Sequence, residues 1–506
     1  MNADRRPQTV LVTGAGGSGR TTVAAATACA AAAQGHRTLL LSAEPAVRLD
    51  ALLGAVAGDA VPGTEETDSG TRSGRRPPVT VPAVPGLWLL RVDAGEEFRT
   101  QAVALQEHGK AALDMLGAAP LDEDELTELP GAGAFALLRA LRTAHGGAGD
   151  DGSGEAAGAA EGSEYGGYGE DTEEAEYAEG AEYAGDPAEY AGDAGFVAAW
   201  DIVVVDMPPT PDGLNLLALP EQLRRYLRRL VPQERQAARA LRPMLAQLAG
   251  VPMPEQWLFE ATARWGAELA EVQRIVESPT TAVRLVTEPG PLAAETLRTS
   301  GAGLRLHGLE LESVIANRLL PAGSPDSWLS ALSGQQQTAL KELREKCEAE
   351  SVPLCELPHL GRDPRGPEDL ASLAGAARTA VTAGAGQGAA RDSEPAGRRA
   401  GPGTDVAHGW VEDRLTEDGK FVWHLPLPGA TRDELELVRR GDELTVGVGP
   451  YRRVLALPSA LRRCRVSGAG LNAGALHVRF SPDPSLWPGY GREDGAGTAR
   501  SDGSPD

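Results

Sequence analysis

The run Gly14-Ala15-Gly16-Gly17-Ser18-Gly19-Arg20-Thr21-Thr22 has the spacing of a phosphate-binding loop, G-x-x-x-x-G-K-[ST], with arginine at the lysine position. Few short motifs constrain a fold as strongly, because the loop works only between a buried strand and the start of a helix. Both flanks are present. Gln8 to Thr13 reads as a buried parallel strand, and Thr21 to Gln34 as an alanine-dominated helix that Gly35 can end. In such a loop the glycines turn successive backbone N–H groups toward a phosphate. The helix N-terminus adds about half a positive charge, and a Ser/Thr hydroxyl holds Mg²⁺. Arg20 alters the last part of this device: lysine is a compact charge on a flexible stem, whereas arginine is a wide planar fork. Only Lys110, Lys341, Lys346 and Lys420 are lysines among the 48 basic residues, so a chain-wide preference for arginine is the competing explanation of Arg20.

The remaining composition narrows the partners. With 506 residues the chain has room for two to four domains, and 48 basic against 72 acidic residues give a net charge of −24, which argues against nucleic acid. Residues 150–194 hold fifteen Asp/Glu, no Lys or Arg, and five of the eight tyrosines. That composition cannot build a core and predicts a solvated insertion. The cysteines Cys29, Cys347, Cys355 and Cys464 form no C-x-x-C pair, so neither a zinc knot nor a disulfide framework is expected. No signal-type segment and no run of about 18 apolar residues occurs. A cytoplasmic protein without an integral membrane segment is the expectation.

Apolar runs at Val10–Val12, Thr38–Ser42, Leu87–Val92, Ile202–Val205, Val283–Val286, Ser313–Ala316 and Val352–Leu354 predict seven buried strands alternating with helices. The fold class expected is therefore α/β, a doubly wound and mostly parallel sheet with a helical insertion, with its ligand at the carboxyl ends of the strands. From Gly409 the pattern switches to period two: Phe421–Leu427, Glu434–Leu437, Glu443–Val448, Arg452–Leu457 and Ala475–Phe480, with Pro428-Gly429, Arg440-Gly441-Asp442 and Ser467-Gly468 as turn signals. This predicts a small C-terminal all-β sandwich able to fold alone. The domain reading is 1–381, with disordered insertions at about 57–80 and 146–195, a linker at 382–408, the sandwich at 409–484 and a disordered tail at 485–506.

Taken together, these residues resemble the ArsA/Get family of dimeric P-loop ATPases over roughly residues 8–378. The family loop G-K-G-G-V-G-K-T-T corresponds to Gly14–Thr22, with both lysines replaced, by Ala15 and Arg20. The resemblance implies an ATP site with Mg²⁺, in which Gly14, Ala15, Gly16, Gly17, Ser18, Gly19, Arg20, Thr21 and Thr22 hold the phosphates. The family's first switch, D-P-A-H-S, is similar to Glu44-Pro45-Ala46-Val47-Arg48, which would give Glu44 the catalytic role of orienting the attacking water. Its second switch, D-T-A-P-T-G-H, is similar to Asp206-Met207-Pro208-Pro209-Thr210-Pro211-Asp212, so Asp206 and Thr21 would serve the metal. Asn317 matches the asparagine that reads adenine, and Pro358 would border the same base. Residues 409–484 resemble the small heat-shock-protein-like β domain appended to some members.

In that family two subunits face each other across the nucleotides, and the lysine at the position of Ala15 reaches the partner's phosphates. Three functions stay open at this point. One is an ATP-binding protein with degenerate hydrolase activity, acting in a homodimer or with a paralogue. The second is a nucleotide-independent protein that binds clients or serves as a scaffold, and the third is a competent ATPase. Arsenite binding through clustered thiolates is disfavoured by the scattered cysteines. A methionine-rich client groove is disfavoured because only Met244 and Met253 fall near the helical region 214–277.

Overall fold

Alternation along the first strand, β1 (Gln8–Gly14), decides the layering of the main sheet. Val10 and Val12 enter a core with the alanine face of helix α1 (Arg20–Ala32), while Leu11 enters a second core on the other side. The computed structural model describes residues 7–54, 77–108, 121–122, 125–128, 131–146, 200–230, 256–384 and 409–486. Nearly all of the expected acidic insertion, of the linker and of the tail, and Met244 and Met253, lie outside these residues.

The remaining strands are β2 (Thr38–Ser42), β3 (Val79–Thr80), β4 (Leu87–Arg91), β5 (Ile202–Asp206), β6 (Thr281–Thr287), β7 (Leu311–Leu319) and β8 (Leu354–Pro358). They form one eight-stranded sheet in the order β3-β4-β2-β5-β1-β6-β7-β8, parallel except for the β3–β4 pair. Both faces are covered. Helix α1, α2 (Ala46–Leu53) and α9 (Gly366–Gly384) share one core with Leu40, Val204 and Ile315. Helices α4 (Ala132–Ala144), α5 (Asp212–Leu230), α6 (Gln256–Val276) and α7 (Ala293–Leu306) share the other with Leu39, Leu41, Val203 and Val205. Helix α3 (Ala94–His108) packs on α4, and α8 (Ser327–Ala349) covers Leu285, Val314 and Ala316. A doubly wound sheet with near-continuous apolar strands is the outcome of this two-sided burial.

Two differences from the sequence expectation have local causes. An eighth strand, β3, ends a stretch read as an insertion; it is two residues long, too short to show a period. The last strand starts at Leu354 rather than Val352, because Val352 N donates to Cys347 O (2.8 Å) and so belongs to the end of α8.

The C-terminal region is a sandwich of two antiparallel sheets. One has the order β14-β15-β10-β9, from Cys464–Asn472, Ala475–Pro482, Lys420–Pro426 and Trp410–Arg414; the other has β11-β12-β13, from Leu435–Arg440, Glu443–Val448 and Tyr451–Ala456. Ser467-Gly468, expected to be a turn, is instead a β-bulge inside β14, marked by the register shift between Val466 and Gly468. Small residues there permit the extra residue without breaking the ladder.

The sandwich core runs without a break into the α4–α7 core. Tyr451 lies against Gly303 of α7, where a Cβ would come within 2.5 Å of the ring. Arg453 crosses the seam, with Nε on Glu221 Oε2 at 3.1 Å and Nη1 donating to Leu306 O at 3.0 Å. Arg298 grips Glu434 with both amino groups at 2.7 and 2.8 Å, and Arg225 and Arg229 share Glu443.

Candidate functional site

Consecutive strands of the sheet each deliver one element to the same end. At the carboxyl ends of β2, β5, β1, β6, β7 and β8 stand Ser42, Asp206, the loop 14–22, Val286 O, Asn317 and Pro358. The sheet order, in which β5 and β6 flank β1, makes neighbours of groups more than 160 residues apart.

The loop is held open by its glycines and pinned by its neighbours. Gly14 crosses β6 so closely that a Cβ would lie 1.9 Å from Val286 O. That carbonyl accepts from Ala15 N (3.2 Å) and from Ser18 Oγ (3.2 Å). Gly19 has φ +89°, and a Cβ there would reach within 2.4 Å of Asn317 Nδ2. As N-cap of α1 it provides no side-chain cap, so the first-turn amides of the helix keep their donor capacity. Asn317 Nδ2 donates to Ser18 O at 2.8 Å, which leaves its Oδ1 as the atom able to accept from a ligand. A positive φ at Arg318 and the β7–β8 register shift after Ala316 turn this strand end toward the loop.

Beside the loop lies a buried acidic centre. Asp206 Oδ2 accepts from Ser42 Oγ at 2.9 Å, while its buried Oδ1 has no hydrogen-bond donor among the described residues. Burial pushes the carboxyl up to about 6, against the opposing effects of the Ser42 and Thr21 hydroxyls and the Arg20 charge. Thr21 Oγ1 donates to Glu44 Oε1 at 3.4 Å, and Glu44 Oε2 pairs with Arg48 Nη1 at 2.9 Å. Arg20 turns inward: its Nη1 donates to Met207 O and stands 3.9 Å from Asp206 Oδ1. The segment after β5 is itself fixed, with Met207 N donating to Val12 O and Thr210 N to Gly14 O, both at 2.9 Å.

Oxygen donors of the kind Mg²⁺ takes are present, with a competing cation beside them. The Thr21 hydroxyl and the Asp206 carboxylate, with its unbonded buried oxygen, are the hard oxygen chemistry the ion prefers, but Arg20 Nη1 stands 3.9 Å from that oxygen. Thr21 and Asp206 are the residues that would hold it. No cluster of three His, Cys, Asp or Glu suited to a metal occurs among the described residues. All four cysteines are buried free thiols, and burial raises Cys29 to about 11 and Cys347 to about 12, which makes these two inert.

A cavity of about 410 Å³ opens next to Gly19 and Thr22 and is bordered by Asn317 and Pro358. Its size suits a nucleoside. The structure thus gathers all the residues singled out in the sequence: Gly14 to Thr22 form the loop, Thr21, Glu44 and Asp206 the acidic side, and Asn317 and Pro358 the cavity side. Sequence reasoning missed Ser42, the carbonyls of Val286 and Met207, and Arg318, Arg362 and Arg365 of the cavity wall. A polar residue ending the apolar run 38–42 was the available signal for Ser42. The carbonyls had none.

Comparison with known proteins agrees with this fold. Residues 7–144 and 194–377 match the family described as anion-transporting ATPase, and residues 418–480 match an HSP20-like domain found in ArsA. An uncharacterized protein of Streptomyces coelicolor is 46% identical over 483 residues, spanning 95% of this chain and 99% of the relative. A protein of Chlorobaculum tepidum named putative arsenical pump-driving ATPase is 22% identical over 474 residues, 92% of this chain and 94% of the relative. One of Aquifex aeolicus, named putative arsenical pump-driving ATPase 1, is 23% identical over 291 residues, 56% of this chain and 67% of the relative. Among the described residues no helix is long and apolar enough to cross a membrane.

Proposed function

Because the chain belongs to the anion-transporting ATPase family, we propose that it binds ATP and ADP and hydrolyses ATP poorly, with the nucleotide acting as a conformational ligand in a dimer. The observation that carries the reading is the convergence of the glycine loop, Asp206 and Asn317 on one end of the sheet, around backbone donors and a cavity of nucleoside size. Binding needs little more than this. Hydrolysis needs positive charge moved onto the transferring phosphoryl group, and a positioned cation of that kind is worth about 10³ to 10⁵ in rate. Ala15 supplies no charge, and Arg20, anchored on Met207 O beside Asp206, is held in place rather than free to follow the transferring phosphoryl group.

A dimer across this face is supported by Val47, Leu292 and Trp328. All three are largely exposed, on segments leaving the carboxyl ends of β2, β6 and β7. A cytoplasmic location fits buried, unpaired thiols.

Calorimetric titration with ATP and ADP tests the binding. Heat of binding is expected from the wild type and none from Gly19→Asp, whose side chain would start 2.4 Å from Asn317 Nδ2 on a strained backbone and displace the loop. A folded wild type that binds neither nucleotide would leave the scaffold function standing. For hydrolysis, the double variant Ala15→Lys, Arg20→Lys is expected to turn over faster than the wild type; a wild-type rate typical of ATPases, about 1 s⁻¹ or more, would refute the degenerate reading.

A further inference from the structure

Asp206 carries a negative charge in a place that gives it little support. One oxygen has the Ser42 hydroxyl; the other is buried and has no hydrogen bond among the described residues. The cation beside that second oxygen is Arg20 Nη1 at 3.9 Å, on a side chain only 13% exposed. Arg20 is not passing by. Its guanidinium is anchored on Met207 O, the carbonyl next in the chain, so the fork is aimed along the end of β5 by a hydrogen bond of its own. The competing bases are accounted for: Glu44 is paired with Arg48 and with the Thr21 hydroxyl.

A divalent ion held by Thr21 and Asp206 would therefore enter a space whose carboxylate already faces a fixed positive charge. Two cations beside one carboxylate oxygen repel each other in a poorly solvated site, and arginine does not lose its proton to relieve this. The same guanidinium presents further N–H donors at the base of a loop built for phosphate, where planar forks bind oxyanions well. Arginine at this position does not simply weaken the lysine's role; it brings a resident cation to the place where the metal would otherwise provide the charge.

We propose that Arg20 is the counter-cation of this site, and that the ligand class it selects is the metal-free nucleoside di- or triphosphate rather than the Mg²⁺ complex. This rests on the nucleotide reading above. It goes beyond that reading by assigning Arg20 a positioning role and by making affinity nearly independent of magnesium.

The test is equilibrium titration of ADP and ATP into the full chain, in EDTA and in excess Mg²⁺. For the wild type the two affinities are expected to agree within about threefold. Arg20→Ala is expected to lose about tenfold or more in EDTA and to recover much of that when Mg²⁺ is added. Arg20→Gln, which keeps a donor for Met207 O without the charge, should behave as Arg20→Ala does and guards against a folding defect, checked by circular dichroism. Wild-type binding that tightens about tenfold or more with Mg²⁺ overturns the inference. So does an uncharged variant that binds as tightly as wild type in EDTA. Absence of binding by the folded wild type under every condition overturns the nucleotide reading and this inference together, whereas tight binding that requires Mg²⁺ overturns this inference alone.

Discussion

Arg298–Glu434, at the seam between the main sheet's helices and the sandwich, and Arg20–Asp206, at the phosphate loop, are the same chemical pair in two different states. Arg298 meets both oxygens of Glu434 at 2.7 and 2.8 Å, Thr431 Oγ1 adds a third bond at 2.8 Å, and the Arg298 bonds hold Glu434 down to about 2. Arg20 stands 3.9 Å from an unbonded Asp206 oxygen, and burial there outweighs the attraction, pushing Asp206 up to about 6. The seam pair is complete as it is. The loop pair is incomplete, which is how a site built to receive charge from a ligand differs from a site built to hold two domains together.

The largest effect expected from breaking the seam is at Arg453, which is 3% exposed against 31% for Glu221. Arg453→Ala strands both Glu221 and Leu306 O and should cost about 3 kcal/mol, the lower end for a broken buried pair because Glu221 is partly wet. Urea unfolding of the full chain measures it, and a loss below about 0.5 kcal/mol would mean the seam is not held by this residue. Gly303→Ala comes next: its methyl group meets the Tyr451 ring at 2.5 Å and should cost about 1–3 kcal/mol by overpacking.

Smaller effects separate the two pairs by sign. Glu434→Gln should lower stability by about 1 kcal/mol, a figure reduced for partial exposure. Asp206→Asn should leave stability unchanged or raise it, since it removes a buried charge one of whose oxygens has no hydrogen bond among the described residues. Thermal melts of the two variants decide; equal losses would erase the distinction between them.

The pH dependence is the finest comparison. Asp206 has a folded value of about 6, above the ordinary 3.8, so the folded state binds the extra proton between them and the charge penalty present at pH 7 fades as pH falls through that window. The stability difference between Asp206→Asn and wild type should therefore shrink between pH 6 and 4. Glu434 runs the other way, its contribution being whole above 4.5 and lost as pH falls toward about 2. His307 also works against stability in acid. Buried beside Arg453, and sharing a small cavity with Glu221, Arg225 and Arg452, it is held down to about 3, so stability falls below pH 6.5. Measuring each variant against wild type at every pH removes that common background; a difference that stays flat from pH 7 to 4 would contradict the raised Asp206 value.

Much of the main sheet and its site was legible before any coordinates, because the signals are local. Glycine at 14 and 19 answers to backbone conformation and to a close approach, apolar runs of four or five residues mark strands buried on both faces, and an acid after Val205 marks a strand end. The sandwich was less legible. Strand β9 has a charged stretch, Glu412-Asp413-Arg414, that hides its period, and the bulge at Ser467-Gly468 uses the residues of a turn.

What the amino-acid order determined by itself was therefore the loop, the kind of sheet and the residues that end its strands. Only the tertiary structure decided where Arg20 points, which carbonyl fixes it, that Ser42 rather than a second cation supports Asp206, and that the sandwich shares a core with α7. The reason is physical. Propensity and periodicity act over a few residues, whereas the contacts that set charge at this site join positions 164 and 187 residues apart and exist only once the strand order has put β2, β5 and β1 side by side.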